Sequence, residues 1–244
     1  MQAPHPHIDK DGFRLRGTEP SRIDSFSDVV FGFALTLIVV SQSVPRTFTE
    51  LQEILLGFLP FATCFLLFVS IWLAHYRFFR RYGLHDARTI WINLTLLFMV
   101  LFYVYPLKFL FTFGTGDTPA GVFSGPKQMR DLLIVYGAGF AAIYLCFAAL
   151  YGNAWLQRLH LRLNPLEVTL TAVYFWNYIG NASVGIACCL LAWLLPLRIA
   201  GHAGYGFFLL LVWGRSHALV SSRYIRAARE RTFPQDLDSL PHAS

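Results

Sequence analysis

Residues 21–42 read SRIDSFSDVVFGFALTLIVVSQ. Arg22, Asp24 and Asp28 crowd the start, and the rest is apolar apart from the lone hydroxyl of Thr36. Such a run forms a helix that enters hydrocarbon, because a backbone in oil must satisfy its own hydrogen bonds. Ser21 and Asp24 fit the S-x-x-D capping pattern just after Pro20, and an acid in the first turn suits the positive end of the helix dipole. Asp28 lies a full turn deeper, where a charge must be paired or hydrated. At about 100° per residue, Arg22, Phe26, Val29, Phe33, Thr36, Leu37 and Val40 share one face, with Asp24, Asp28, Phe31 and Leu35 opposite.

The whole chain supports the same reading. Of 244 residues, 55% are hydrophobic and only 14% charged, against roughly 25% charged in soluble domains. Six apolar segments, at about 22–44, 51–76, 89–112, 131–156, 167–195 and 203–224, each reach the ~20 residues that a spanning helix needs. The fold class is therefore an all-α membrane protein with six transmembrane helices, organised as a tail over 1–20, a six-helix domain over 21–225 and a second tail over 226–244. Residues 1 to about 18 and 234–244 are expected to be poorly ordered.

With the N-terminus inside, 15 of the 20 Lys and Arg fall on the cytoplasmic side. That bias predicts a multi-pass protein of the cell membrane with both termini cytoplasmic. The net charge of +6 is scattered between apolar runs rather than gathered in a patch, which argues against nucleic acid as a partner. Cys64, Cys146, Cys188 and Cys189 sit inside apolar runs and read as small buried hydrophobes. No nucleophile elbow, HExxH or phosphate-binding loop is present, so neither an enzyme nor a resident cofactor or metal is expected. Gly204-Tyr205-Gly206 resembles a potassium-channel filter, yet the few residues after Pro196 leave no room for a pore helix; it reads as a helix-entry turn.

Depth assigns partners to Asp28. The second span ends SIWLAHYRFFRR (70–81) and the third begins RTIWINLTLL (88–97), so Arg22, Ser27, Asp28, Trp72, His75 and Asn93 lie at a similar level. An indole N–H, an imidazole and an amide all bond carboxylates. Two readings stand: a packing network locking three helices together, or a proton relay through Asp28 and His75. Thr36, roughly 12 Å deeper, either bonds back to its own helix or supplies a hydroxyl layer to a narrow pore.

Arg22, Phe26-Ser27-Asp28 and Thr36 match R-x-x-x-F-S-D-x7-T, and this stretch resembles the first helix of the transmembrane protein 175 potassium channels. IWLAHYRFF (71–79) and INLTLLFMVLFYVYP (92–106) resemble that family's second and third helices, while the second half is similar only in hydropathy. The resemblance implies a homotetramer of six-span subunits in the lipid bilayer, with four first helices lining a central pore. It implies a constriction at Phe33, where the family usually has Ile or Leu, a threonine layer at Thr36 and an apolar level at Val40. It implies that Arg22, Ser27, Asp28, Trp72, His75 and Asn93 form a structural network supporting the pore helix. The implied activity is a modestly selective, leak-like K⁺ channel, with monovalent cations as permeant partners. The alternatives are a proton channel or proton-coupled transporter using Asp28 and His75, and a non-conducting membrane scaffold.

Overall fold

The computed structural model describes residues 7–40, 45–56, 58–114 and 125–232, and among them every regular element is helical. The helices are α1 (Arg22–Val40), α2 (Phe48–Leu56), α3 (Phe58–Tyr82), α4 (Ala87–Gly114), α5 (Pro126–Leu156), α6 (Pro165–Leu194) and α7 (Leu209–Thr232), with a 3₁₀ segment over Ala200–Phe208 before α7. By length and composition, four are fit to cross a membrane: Phe61–Tyr82, Ala87–Pro106, Pro126–Leu156 and Pro165–Leu194.

The other two expected spans, 22–44 and 203–224, hold α1 and the 3₁₀ segment leading into α7, which do not meet that measure among the described residues. The expected segment 51–76 is helical through α2 and α3, with residue 57 between them outside the described residues. The expected segment 203–224 starts as a 3₁₀ turn because Gly201, Gly204 and Gly206 are poor helix formers and the chain must pass close to α6. A Cβ on Gly206 would lie 2.7 Å from Cys188 Sγ. Gly204-Tyr205-Gly206 falls within this turn, and the Tyr205 ring is exposed. Most of the 114–128 connection lies outside the described residues.

Helices α5 and α6 form the closest pair. Gly137 and Gly185 face each other so tightly that a Cβ on either would come within 2.8 Å of the other's carbonyl oxygen. Small residues at such a crossing let backbones meet, the main source of helix adhesion where lipid is as apolar as the side chains. Toward the α3 end, the core becomes aromatic. Phe13, Phe78, Tyr82, Tyr151 and Tyr178 run ring to ring at centroid separations of 5.0–5.7 Å. Thr171 gives its hydroxyl proton to the Glu167 carbonyl at 2.6 Å, so the 2.6 Å bond to Tyr82 must have the phenol as donor. Cys64 and Cys188 are buried, and Cys146 and Cys189 half-buried.

Residues 7–20 overturn the expectation of a poorly ordered stretch. Asp9-Lys10-Asp11-Gly12 makes a tight turn, with Gly12 N–H on the Asp9 carbonyl at 3.0 Å and φ of 86° at Gly12, which suits glycine. The turn delivers Phe13, fully buried, into the aromatic core. Arg81, also buried, bonds Asp9 at 2.7 Å and Asp11. Arg16 and Gly17 N–H groups cap the Arg80 carbonyl. Glu167 holds the far side: its buried carboxylate takes Arg16 at 2.7 Å, Arg14 at 3.1 Å and the Asn164 N–H at 2.9 Å. Three regions that the charge bias places in the cytoplasm, namely this segment, the α3 end and the α5–α6 connection, therefore meet at one end of the bundle.

Candidate functional site

Helix α1 begins as its sequence dictates. Ser21 Oγ accepts the Asp24 N–H at 3.2 Å while Asp24 Oδ2 accepts the Ser21 N–H at 2.9 Å, a reciprocal capping box. The helix is then divided lengthwise. Ser27, Phe31 and Ala34 are 0–2% exposed and pack on α3 and α4. On the other side Phe26, Val29 and Phe33 are 51%, 69% and 59% exposed, and Arg22 and Thr36 are exposed with them. This bare stripe is the face that the 100° periodicity groups together. Val40 continues the helix, but its side chain lies outside the described residues.

Thr36 Oγ1 donates to the Phe33 carbonyl at 2.8 Å. That bond consumes the hydroxyl proton and leaves both oxygen lone pairs able to accept. Back-bonding and a hydroxyl layer are therefore compatible, not rival, readings.

The polar residues at the inner level fall into two groups. Ser27 Oγ donates to the Ile23 carbonyl at 2.7 Å and accepts Asn93 Nδ2 at 2.9 Å. Asn93 Oδ1 meets His75 Nε2 at 2.8 Å, so the imidazole carries its proton on Nε2. Phe31 and Phe79 flank that ring at 5.3 and 4.6 Å. This buried chain ties α1 to α4 and α3. Separately, Trp72 Nε1 donates to Asp28 Oδ1 at 2.8 Å with its indole stacked on Tyr76. Asp28 is not on the rear face but exposed at the border of the bare stripe. Arg22 joins neither group and makes no hydrogen bond or ion pair among the described residues. Asp24, Asp28, His75, Tyr76 and Arg80 line a cavity of about 210 Å³, yet Asp28 and His75 share no hydrogen bond.

Replacing Asn93 with Ala is expected to cost about 1–3 kcal/mol, because the buried His75 N–H loses its acceptor. A melting curve in detergent measures it. A curve superimposable on wild type would show that the chain does not hold the three helices.

Four apolar helices of membrane length, together with α1, apolar and bare along a single face, define a multi-pass membrane protein. The sequence model of the endosomal/lysosomal potassium channel TMEM175 matches residues 22–103, which contain both polar groups and the whole bare stripe. A potassium channel of Marivirga tractuosa is 34% identical over 233 residues, covering 88% of this chain and 94% of that protein. The chain belongs to the TMEM175 family. A potassium channel of Chamaesiphon minutus is 30% identical over 145 residues, 56% of this chain and 66% of that one. The crystal structure of a threonine-to-alanine variant of the potassium channel MtTMEM175 superposes with a TM-score of 0.79 at 32% identity, covering 89% of this chain and all of that one. That of a lysosomal potassium-selective channel TMEM175 homologue from Chamaesiphon minutus gives 0.54 at 22%, covering 80% of this chain and 96% of that one, a likeness of fold. The family and these relatives are potassium channels, not enzymes.

Proposed function

We propose that four copies of this chain assemble with their α1 stripes around a common axis, each contributing six spans, and form a K⁺-preferring, leak-like cation channel of the cell membrane with both termini cytoplasmic. One observation carries the reading: α1 is fastened to α3 and α4 along one side and left bare along Arg22, Phe26, Val29, Phe33 and Thr36 on the other. The names of the relatives support the choice of ion. Phe33 forms the apolar constriction, Thr36 sits about 4.5 Å beyond it with its lone pairs toward the axis, and Val40 follows. A cation at the constriction loses hydration, and hydroxyl oxygens replace part of the shell. One such layer discriminates less than stacked carbonyls would, so the K⁺ preference is modest. Ser27, Asn93 and His75, with Trp72 and Asp28, hold the stripe in register, while Arg22 stands at its inner mouth.

The proton-relay alternative lacks support at its central step, since His75 Nε2 is engaged by Asn93 and not by Asp28. The test is flux from liposomes carrying the purified protein, with native mass spectrometry of the same sample. A tetramer passing K⁺ faster than Na⁺ is expected, with Thr36→Ala bringing the two rates together. An unchanged ratio in that variant removes Thr36 from selectivity. A current that follows only the pH gradient supports the relay, and no flux at all supports a scaffold.

A further inference from the structure

We propose that the groove between the N-terminal turn and the end of α3 seats the phosphate of an anionic phospholipid. The groove encloses about 490 Å³, and its walls include Lys10, Arg77, Arg80, Arg81, Tyr76 and Leu73. Its charge is unbalanced. Asp9 and Asp11 are both committed to Arg81. Lys10, Arg77 and Arg80 have no acidic partner among the described residues. Arg80 gives Nη1 to the carbonyls of Thr18 and Gly17 at 3.1 and 3.3 Å, which orients the guanidinium without neutralising it. Arg77 rests 5.9 Å from the Tyr174 ring centre. Arg81 Nη1 is buried with no hydrogen-bond partner among the described residues. A phosphate accepts several donors and suits guanidinium forks.

The surface leading to the groove fits a lipid rather than a free anion. Leu66, Ser70, Leu73, Arg77 and Arg80 fall within about 80° of one another around α3. Leu66 and Leu73 are exposed. The eleven residues from Leu66 to Arg77 rise about 16 Å, close to half the ~30 Å hydrocarbon thickness. One leaflet's acyl chain can thus follow the leucines while its headgroup reaches the arginines, and basic pockets at the cytoplasmic ends of helices are suited to anionic headgroups. The inference rests on α3 crossing the bilayer with this end inside, and not on what passes along α1.

Native mass spectrometry of the full-length protein tests it, with phosphatidylglycerol, phosphatidylcholine and inorganic phosphate titrated separately. Wild type is expected to retain phosphatidylglycerol over phosphatidylcholine. Arg77→Gln and Lys10→Gln, both on exposed side chains, are each expected to weaken retention roughly fivefold. Arg226→Gln, an exposed charge on α7, is expected to leave it unchanged. Equal retention in wild type and the two groove variants overturns the site. An equal loss in Arg226→Gln overturns it as well, by showing general surface charge. Displacement of the lipid by inorganic phosphate at equal concentration overturns the lipid assignment. Ion flux is not read, so failure here leaves the pore assignment standing, and the converse holds.

Discussion

Replacing Glu167 with Ala is expected to lower stability by about 3–5 kcal/mol, the cost of stripping one partner from a buried ionic cluster. The side chain is fully buried and receives Arg14 through its backbone N–H at 2.9 Å, its Nε at 3.1 Å and its Nη2 at 3.1 Å. Arg16 adds Nη2 at 2.7 Å. The same carboxylate closes the α6 capping box with Asn164. Alanine removes every acceptor at once and leaves two guanidiniums facing a cavity. Their ordinary escape is water, which Arg14 reaches more easily than Arg16, whose side chain is only 19% exposed. Glu167→Gln keeps the volume and the capping geometry but not the charge, and it should fall between alanine and wild type. Thermal melting of the detergent-solubilised protein measures both. An alanine variant that melts with wild type would mean that residues 7–20 add little to the folded state.

Phe33→Ala is expected to act in the opposite domain: little change in melting and a large change in transport. The Phe33 ring is 59% exposed in the subunit, so its truncation opens no cavity in the α1–α3–α4 core. In the proposed assembly, however, four rings at one level would close an apolar neck, and four methyl groups would not. Each 1.4 kcal/mol removed from the barrier raises the rate about tenfold, so a K⁺ flux at least ten times that of wild type is the expected result. The K⁺ over Na⁺ preference should fall with it, because ions then pass with more of their water. A flux indistinguishable from wild type would place the constriction elsewhere.

The sequence carried α1 further than any other element. Its capping box, most of its two faces and the common level of Ser27, Asp28, Trp72, His75 and Asn93 follow from spacing and topology, and the geometry joins these five side chains in two separate groups. Arg22 is the exception. Depth grouped it with the polar residues, whereas the 100° periodicity already set it with Phe26 and Phe33, and Arg22 lies on the bare stripe rather than among the buried amides. Asp28 differs for a related reason: it sits about 60° beyond Phe31, enough to turn a rear-face residue into a border one.

The N-terminal turn was illegible to periodicity because a stretch this polar has no apolar period to detect. Its signals were local and small: an Asp-x-x-Gly turn, followed at once by a phenylalanine among charges. Its partners, Arg81 and Glu167, lie 70 and 153 residues from Asp11 and Arg14, separations that no local pattern reaches. The α5–α6 contact was hidden differently. Hydropathy registers Gly137 and Gly185 as neutral letters, whereas the packing depends on the absence of their side chains.

The central claim is that the bare face of α1 lines the conducting path. Single cysteines at Phe33 or Thr36, reconstituted in liposomes and treated with a positively charged thiol reagent, test it most directly. Wild type serves as the background, since its four cysteines are buried or half-buried. Leu66→Cys serves as the control, since Leu66 is equally exposed but on α3. Modification at positions 33 and 36 is expected to block K⁺ flux, and modification at 66 to leave it unchanged. Flux that persists after labelling at both α1 positions would contradict it.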